Sequence, residues 1–276
     1  MTVWMITGCS SGLGRSLAET VLGLGNEAVI TARDTAALAD LVKAYPETAH
    51  AVALDITDFG QVKHAAQAAE ERFGRVDVLV NNAGYGYRAA VEEGDESGVA
   101  TLFATNLFGP VELIKAVLPG MRARRQGTIV NISSIGARRY PAGSGYYSAS
   151  KAALESVSGS LRKEVKPLGI RVMVVEPGAF RTDFAGRSLQ QSPTVISDYA
   201  EMLYARRPQN DKTHGTQPGD PIRAAAAIIA ATEAADPPFL LLLGKDAVDS
   251  VRTELNALVS DIDNWEEVAL GTSFTV

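Results

Sequence analysis

Short apolar segments alternate with longer amphipathic segments along most of the chain. The short segments are rich in Val, Ile and Leu and have the length of a strand, whereas the longer ones repeat their apolar residues with the period of a helix. Because helices cover both faces of a parallel sheet, this alternation predicts an α/β fold with one doubly wound parallel sheet. The seven predicted strands are residues 3–6, 28–31, 51–54, 78–80, 128–132, 171–175 and 239–243.

Two of the amphipathic segments predict helices whose apolar faces pack on this sheet. A third helix is predicted at residues 223–235, where a run of alanines follows Pro221, a residue suited to a first helical turn. The two apolar faces consist of Val62, Ala65, Ala66, Ala69 and Phe73 before Gly74, and of Leu154, Val157, Leu161 and Val165 before Pro167.

The regular alternation weakens between residues 185 and 219, where glycine and proline interrupt shorter helical pieces. A long irregular segment inside a compact domain commonly carries function. We therefore predict a substrate lid at residues 185–219. No repeat or linker divides the chain, so we expect one domain over residues 1–276.

The composition indicates a globular, acidic protein. Hydrophobic residues make up 46% of the chain and charged residues 21%, which allows a substantial core. The net charge of -6 at pH 7 argues against nucleic acid and anionic membranes as partners, because both favour a basic face. A single cysteine, Cys9, excludes an internal disulfide framework. We expect no metal site, because the spacing of His50, His64 and His214 would not bring ligands together.

The N-terminal residues favour a cytoplasmic location. They enter the first predicted strand without the basic start and long apolar stretch of a signal peptide. The longest apolar run, residues 239–243, is far shorter than the roughly 18–20 residues that cross a bilayer. We therefore expect neither secretion nor a membrane span.

The turn after the first predicted strand carries three glycines and opens a helical segment. Glycines at such a junction allow a tight turn and close approach of a pyrophosphate, whose charge the helix N-terminus favours, so the turn predicts a dinucleotide-binding loop. Its spacing resembles the T-G-x-x-x-G-x-G loop of the short-chain dehydrogenase/reductase family, which has a Rossmann-like fold. That resemblance implies cofactor contacts from Gly8, Ser10, Ser11, Gly12, Leu13 and Gly14.

The end of the second predicted strand bears on the choice of cofactor. An acidic residue there would bind the ribose 2′-hydroxyl of NAD, but Ala32 and Arg33 occupy the position. Because an arginine can bind a 2′-phosphate by charge-assisted hydrogen bonds, Arg33 favours NADP(H). The alternatives are that Arg33 lies over the adenine or faces solvent, and the adjacent Asp34 weakens the argument.

Two further stretches follow the next strands. Asp55 and Ile56 match the family position that contacts the adenine ring, although Asp55 could instead cap the helix that begins near Thr57 and Asp58. The resemblance also implies that the stretch after the fourth strand lines the adenosine side and ties the central sheet together; it consists of Asn81, Asn82, Ala83 and Gly84.

A tyrosine and a lysine four residues apart supply the candidate proton chemistry. Tyr147 and Lys151 lie on one face of a predicted helix, whereas Tyr146 is out of phase with the lysine. A nearby cation favours phenolate, so we expect Lys151 to lower the pKa of Tyr147 and make it a general acid and base. The family implies that Lys151 also binds the nicotinamide ribose.

Two polar residues complete this set by resemblance. The family places a serine thirteen residues before the tyrosine, which selects Ser134, and its hydroxyl would bind the substrate oxygen. The neighbouring Ser133 is expected to face backbone. Asn106 matches the family's helix asparagine, which holds a water that passes protons to the lysine.

After the sixth strand, a P-G-x-x-x-T stretch matches the one that holds the nicotinamide carboxamide in this family; its matching residues are Pro177, Gly178 and Thr182. The resemblance spans residues 7–182 and implies reversible hydride transfer between NADP(H) and a carbonyl or secondary alcohol, in a homodimer or homotetramer. The alternative is a catalytically silent NADP(H)-binding sensor or scaffold. Such proteins are expected to lose the tyrosine or lysine, and this chain keeps both.

The substrate itself carries no readable motif. Arg138 and Arg139 follow Ser134 closely and leave open an anionic substrate, although this role is not the favoured one. The aromatic residues near the motifs are equally compatible with an apolar substrate pocket and with ordinary core packing. They are Tyr85, Tyr87, Tyr140, Phe180 and Phe184.

Overall fold

The computed structural model describes residues 1–186, 188–204 and 215–274. Its main feature is a seven-stranded parallel sheet with the spatial order β3-β2-β1-β4-β6-β7-β9, which confirms the doubly wound α/β fold. The strands of the whole structure are β1 (Val3–Ile6), β2 (Glu27–Ala32), β3 (Ala49–Ala53), β4 (Val78–Asn81), β5 (Gly86–Arg88), β6 (Gly127–Ile132), β7 (Ile170–Pro177), β8 (Leu189–Gln191) and β9 (Leu240–Leu243).

Helices cover both faces of the sheet. In chain order they are α1 (Gly12–Gly23), α2 (Ala39–Ala44), α3 (Phe59–Phe73), α4 (Glu96–Phe103), α5 (Gly109–Arg124), α6 (Gly136–Arg139), α7 (Gly145–Val165), α8 (Ser197–Tyr204), α9 (Pro221–Glu233) and α10 (Lys245–Leu270), with a π-helical turn at Ala104–Phe108. Short 3-10 turns lie at Thr35–Leu38, Val91–Glu93, Lys166–Leu168 and Asp183–Ala185.

Alternate residues of β1 point into two separate cores. Trp4 and Ile6 pack with α1 and α9, whereas Met5 packs on the opposite face with α3, α5 and the end of α7. This period of two, continued across the central strands, explains why the strands are apolar throughout. The predicted alanine-rich helix is α9, and Asp220 caps it by accepting hydrogen bonds from the N–H groups of Ile222 and Arg223.

One predicted core position is wrong. The inward face of α7 contains Leu154, Leu161 and Val165, but Val157 is 40% exposed. Ser158 takes the inward position instead, because its hydroxyl accepts a hydrogen bond of 2.8 Å from the buried amide of Asn131.

The helical stretch Glu96–Arg124 is, among the described residues, the one that by length and composition could cross a membrane. No uninterrupted apolar run marks this stretch in the sequence, because polar residues separate its apolar ones. Leu102, Leu113 and Met121 from this stretch are fully buried inside the protein.

The segment predicted to form a lid is described in part. Its residue 187 and residues 205–214, which include His214, lie outside the described residues. In the described parts, β8 pairs with β5 in a small parallel sheet that the sequence did not predict, and α8 follows. The closing movement of a lid remains a prediction.

The sheet order places the candidate site at a switch point. From β1 the chain winds outward on one side through β2 and β3, and then returns to place β4 on the other side of β1. The connections after β1 and β4 therefore diverge at their carboxyl ends, and the resulting crevice is where open α/β sheets bind ligands.

Candidate active site

The glycine loop lies in this crevice, directly against the loop that follows β4. Gly8 and Gly12 have φ angles of +73° and +61°, which other residues rarely adopt. A Cβ atom on Gly8 would lie 3.0 Å from the Cα of Ala83, and one on Gly14 would overlap the side-chain amide of Asn82. The loop therefore needs glycine at these positions for conformation and for packing.

Thr7 and Asn82 join the two loops by hydrogen bonds. The Thr7 hydroxyl accepts from the backbone N–H groups of Asn82 and Ala83 at 3.0 and 2.9 Å. In return, the Asn82 amide donates to the carbonyl oxygen of Thr7 at 2.8 Å. One threonine and one asparagine thus fix the spacing of β1 and β4 at the site.

A second, buried amide chain crosses the sheet below the site. Asn81 donates to Asn131 at 2.8 Å, and Asn131 donates to Ser158 at 2.8 Å. The chain therefore connects β4, β6 and α7. This is the sheet-tying arrangement that the family resemblance implied for the stretch after β4.

A cavity of about 610 Å³ opens above these loops. Its lining includes Ser134 and, of the predicted cofactor residues, Gly8, Ser10, Ser11, Gly12, Leu13, Arg33, Asp55, Ile56, Asn82, Ala83, Gly84, Tyr147, Lys151, Pro177, Gly178 and Thr182. Gly14 and Asn106 do not line it. Lining residues that the sequence did not single out include Thr31, Leu54, Thr101, Thr105, Ile132, Ser188, Gln190 and Gln217, and several of them adjoin motif residues.

The shape and polarity of this cavity fit a dinucleotide. Ser11 precedes α1 without capping it, so the first-turn N–H groups of α1 are not taken up by that side chain, and this turn contains no acidic residue. Such a helix start favours a phosphate. Gly12 has Thr182 across from it, since a Cβ atom on Gly12 would lie 3.4 Å from the Cβ of Thr182. The glycine loop and the loop after β7 therefore enclose the cavity from two sides.

Two arginines near the glycine loop differ in their partners. Arg15 forms ion pairs with Glu19 and Asp40, so its charge is compensated. Arg33 is exposed, lines the cavity and has no hydrogen bond or ion pair with the described residues. Asp34 accepts a hydrogen bond from Ala36 N at 2.9 Å and caps a 3-10 turn, which gives this neighbouring carboxylate a local role.

The side chain of Asp55 has both a local bond and a place in the cavity lining. Its Oδ1 atom accepts from the N–H and the hydroxyl of Thr57 at 2.9 and 2.7 Å. Asp58, not Asp55, caps α3, with bonds from Gly60 and Gln61. The helix-capping alternative for Asp55 is therefore wrong.

Tyr147 and Ser134 meet inside the cavity. The two side chains approach each other, since a Cβ atom on Gly136 would lie 3.3 Å from both Ser134 Oγ and Tyr147 Cε1. Burial raises the pKa of Tyr147 to about 12, and the nearby Ser134 hydroxyl only partly opposes this shift. The expected lowering of this pKa is wrong in direction, so Tyr147 is protonated at neutral pH.

Lys151 lies beside the tyrosine but bonds elsewhere. Its ammonium donates to the carbonyl oxygen of Ile132 at 2.8 Å. Burial lowers the pKa of Lys151 to about 8, while the charge of Glu155 opposes the shift. A Cβ atom on Gly84 would lie 3.3 Å from Lys151 Nζ, so the loop after β4 reaches the ammonium.

Asn106 occupies the π-helical turn between α4 and α5 and is fully buried. Its amide nitrogen donates to the carbonyl oxygen of Tyr85 at 3.0 Å and to the Ser150 hydroxyl at 3.1 Å, while its oxygen accepts from Tyr85 N at 3.1 Å. The same oxygen would lie 3.0 Å from a Cβ atom on Gly84. Asn106 Oδ1 and Lys151 Nζ therefore both lie close to Gly84, in the loop that follows β4.

Tyr146 is directed away from this site. Its hydroxyl donates to the carbonyl oxygen of Val91 at 2.7 Å, and its ring packs edge-on against Tyr87. Of the five aromatic residues considered, Tyr85, Phe180 and Phe184 line the cavity, and the Phe184 ring lies 5.7 Å from that of Tyr147. The other two, Tyr87 and Tyr140, are respectively buried and 65% exposed.

A charged cluster that the sequence did not reveal lies behind Ser134. Arg138 forms ion pairs with Glu176 at 2.6 Å and with Glu155 at 2.8 Å, and Ser133 donates a hydrogen bond to Glu155. Arg138 is therefore neither a solvated residue nor aimed at a substrate, and Ser133 bonds a carboxylate and not backbone. Burial raises the pKa of Glu176 to about 7. Arg139 is exposed.

The loop after β7 is held from the start of the last helix. Asp246 accepts a hydrogen bond from Ala179 N at 2.7 Å. A Cβ atom on Gly178 would overlap the same carboxylate, so only glycine allows this approach. Thr182 caps the following 3-10 turn by accepting from Phe184 N at 3.4 Å. No cluster of metal-ligating side chains occurs within the residues that the structure describes.

Comparison with known proteins places the chain in a family. The sequence profile of the short chain dehydrogenases matches residues 2–193. The chain belongs to the short-chain dehydrogenase/reductase family. It is 38% identical to the oxidoreductase BOA17 of Botryotinia fuckeliana over 98% of this chain and 99% of that one. A 3-ketodihydrosphingosine reductase of Bacteroides thetaiotaomicron is 35% identical over 87% of both chains.

Solved structures of the family share the fold. A short-chain dehydrogenase from Streptomyces avermitilis superposes with a TM-score of 0.92 at 44% identity, covering 99% of this chain and 100% of the other. A member from Burkholderia phymatum in complex with NAD gives a TM-score of 0.80 at 26% identity, covering 91% and 92% of the two chains. The protein is therefore an oxidoreductase of a family whose members bind nicotinamide dinucleotides.

Proposed function

We propose that this protein transfers hydride reversibly between NADP(H) and a carbonyl or secondary alcohol, and that Ser134, Tyr147 and Lys151 carry the proton side of the reaction. The observation that carries the proposal is that the side chains of Tyr147 and Ser134 lie close together, on either side of Gly136, in the cavity that the glycine loop also lines. Two hydroxyl groups can there bind one substrate oxygen. The ketone substrate named for the Bacteroides relative agrees with this reaction class.

Ser134 and Tyr147 have different roles at the substrate oxygen. The Ser134 hydroxyl receives a hydrogen bond of 3.0 Å from Gly136 N, which orients it and leaves its proton for the carbonyl oxygen. Because the pKa of Tyr147 is raised to about 12, the phenol holds its proton until negative charge develops on that oxygen. It then donates the proton, and the product is an alcohol.

Lys151 and Asn106 restore the proton. Below its pKa of about 8, the Lys151 ammonium is charged and stabilises the phenolate left on Tyr147. Asn106, held on both sides by Tyr85, keeps the backbone beside Lys151 in place for a proton path from solvent.

NADP(H) supplies the hydride, and the residues that would hold it are those of the glycine loop, of Arg33 and of the loop after β7. Arg33 would contact the 2′-phosphate, because its guanidinium lines the cavity and has no partner among the described residues. The first turn of α1 would face the pyrophosphate.

Replacing Tyr147 with Phe tests the proposal directly. Loss of the phenol should lower the turnover of an active ketone by about 10²- to 10⁴-fold, the usual contribution of a general acid. NADPH binding, followed by fluorescence titration, should stay within a few-fold of wild type. The substrate would come from an NADPH-oxidation screen across ketones, aldehydes and keto acids.

Tyr146→Phe is the matched control, since it removes the adjacent hydroxyl outside the cavity. It should retain near-wild-type turnover. Equal activity of Tyr147→Phe and wild type would rule out the assigned role, and NADPH binding without reduction of any carbonyl by wild type would favour a silent sensor instead.

A further inference from the structure

A buried ionic cluster lies behind Ser134 and outside the lining of the cavity. Arg138 of α6 lies 2.8 Å from Glu155 of α7 and 2.6 Å from Glu176 of β7, measured between guanidinium nitrogens and carboxylate oxygens. The side chain of Glu155 is 11% exposed, and that of Glu176 is fully buried. Desolvation cancels much of the attraction within a buried ion pair, so stability alone is a weak reason for such a cluster.

Glu155 is held in this cluster through both of its carboxylate oxygens. Its Oε2 atom pairs with Arg138 Nη2, and its Oε1 atom accepts a hydrogen bond from the Ser133 hydroxyl. Ser133 is buried and is fixed to β7, because its backbone N–H donates to the carbonyl oxygen of Val175 at 2.7 Å. The charge of Glu155 is therefore fixed in position on the inner side of α7.

The carboxylate held in this way acts on Lys151. Glu155 follows Lys151 by four residues in α7, so the two side chains lie on the same face of the helix. Lys151 is buried, its ammonium donates to the carbonyl oxygen of Ile132, and burial lowers its pKa to about 8. The charge of Glu155 opposes this shift. Without that charge, the amine would lose its proton at a lower pH.

The other groups around Lys151 supply no compensating charge. β6 contributes a backbone carbonyl oxygen, the loop after β4 contributes Gly84, and the π-helical turn contributes the neutral amide of Asn106. From α7 itself, Tyr147 contributes a phenol that is protonated at neutral pH. Within the part of the chain that the structure describes, Glu155 is therefore the carboxylate whose charge reaches the ammonium.

The two remaining charged groups of the cluster pair with each other. Arg138 Nε lies 2.6 Å from Glu176 Oε1, and burial raises the pKa of Glu176 to about 7. Glu176 therefore loses its proton at a lower pH than Lys151, and this ion pair is charged throughout the range in which Lys151 titrates. A substitution that neutralises Glu155 also leaves Arg138 with an anionic partner.

We propose that Glu155 is a positioning residue for hydride transfer, whose carboxylate, held by Arg138 and Ser133, keeps the ammonium of Lys151 charged near neutral pH. This inference rests on the proposed function, in which the ammonium stabilises the phenolate left on Tyr147. Glu155 does not line the cavity, so it acts on the reaction through Lys151.

Titration of Lys151 in the full chain tests the proposal without any substrate. The Cε resonance of Lys151, assigned by its absence in Lys151→Met, reports the protonation of the amine by NMR. In wild type its midpoint should lie near pH 8. Glu155→Gln keeps the length of the side chain and removes its charge, so it should lower the midpoint by about 0.5–1 pH unit.

Two variants serve as controls for this titration. Glu155→Asp retains a carboxylate and should return the midpoint of Lys151 toward the wild-type value. Glu164→Gln removes an exposed glutamate of the same helix and should leave the midpoint unchanged. If Glu155→Gln does not fold, Glu155→Met removes the same charge with an apolar side chain, and the same downward shift is required.

The pH profile of kcat gives a second readout. Because the ammonium is charged only below the pKa of Lys151, kcat for carbonyl reduction should fall on the alkaline side of that pKa. In Glu155→Gln the fall should begin at a lower pH. Its kcat at pH 8 should then be roughly two- to five-fold below that of wild type, while kcat at pH 6 stays nearly unchanged.

An unchanged midpoint of Lys151 in Glu155→Gln would overturn the proposal. A kcat that falls by the same factor at every pH would also overturn it, since that is the result of a purely structural role. The expected titration in a wild type that reduces no carbonyl would contradict the proposed function, and it would still support the effect of Glu155 on Lys151.

Discussion

At the scale of single residues, the charged side chains in and near the site differ in whether an opposite charge lies beside them. Arg33 lines the cavity without a partner among residues 1–186, 188–204 and 215–274, whereas Arg138 is fixed between two carboxylates. An uncompensated cation in a ligand cavity is available to an anion, and a paired one is not. We therefore infer that Arg138 has a structural role and that Arg33 is available to an anion such as the proposed 2′-phosphate, a difference that sequence position alone does not reveal.

Replacing Arg33 with Asp should reverse the cofactor preference. A charge-assisted bond to a 2′-phosphate contributes about 1.5–3 kcal/mol, so wild type should bind NADPH roughly 10- to 100-fold more tightly than NADH. The aspartate would repel the phosphate and accept the 2′-hydroxyl of NADH. Fluorescence titration with both cofactors measures this, and Arg139→Asp, at an exposed arginine outside the cavity lining, is the control. Equal affinities in wild type would contradict the NADP(H) assignment.

Glu176 should make the folded state less stable as the pH rises. Its carboxyl is fully buried, and burial raises its pKa from 4.5 to about 7. Between these values the folded state binds more protons than the unfolded one, so the free energy of unfolding falls with increasing pH, by on the order of 2 kcal/mol. The contribution is complete below about pH 4.5 and is lost as the pH passes 7.

Urea unfolding of wild type and Glu176→Gln at a series of pH values measures this effect. The glutamine variant should show a flatter dependence between pH 5 and pH 7.5, since it has no proton to lose there. Glu71→Gln, at an exposed glutamate, should reproduce the wild-type slope. Identical slopes in all three proteins would show that Glu176 does not titrate in this range.

At the scale of elements, the strands and helices with strong periodicity could be predicted from the sequence. The central strands are apolar on both faces, and α3 and α9 repeat their buried residues regularly. The small β5–β8 sheet could not be predicted, because its three-residue strands are joined only by pairing across a hundred residues. The predicted inward face of α7 was wrong at Val157. Ser158 takes the inward position instead, because its hydroxyl accepts a hydrogen bond from Asn131.

The site was predictable to a similar degree. Motif residues such as Gly8 and Tyr147 have signatures in spacing, and they do line the cavity. The direction of the Tyr147 pKa was not predictable, because it depends on burial in three dimensions. Asp246 was missed for the same reason, since nothing within its own segment shows that it contacts a loop almost seventy residues earlier.

Asp246→Asn should weaken cofactor binding by acting on this loop. An amide replaces the carboxylate that accepts from Ala179 N, and loss of a charged acceptor costs about 1.5–3 kcal/mol. The Kd for NADPH should rise by roughly 10-fold, with a smaller change in kcat, because Asp246 positions the loop and does not touch the reacting atoms. Asp249→Asn, in the same helix but paired with exposed Lys245, should change neither value. A fall in kcat alone would contradict the positioning role.

At the scale of the whole molecule, the sheet order determines which parts of the chain meet. β1 lies in the middle of the sheet and β9 at its edge, so the first and last strands are separated by three others. The cavity combines residues from Gly8 to Gln217, and Asp246 in α10 holds one of its loops. The site thus depends on elements from the two ends of the sequence.

The contact between Asp246 and the loop after β7 has a consequence for synthesis of the protein. The ribosome makes the glycine loop among the first residues and Asp246 only some 240 residues later. Domains generally fold as units once enough of their chain has emerged. A nascent chain therefore carries its glycine loop long before the opposite wall of the cavity is fastened, and we expect it to retain a dinucleotide tightly only after Asp246 has been added.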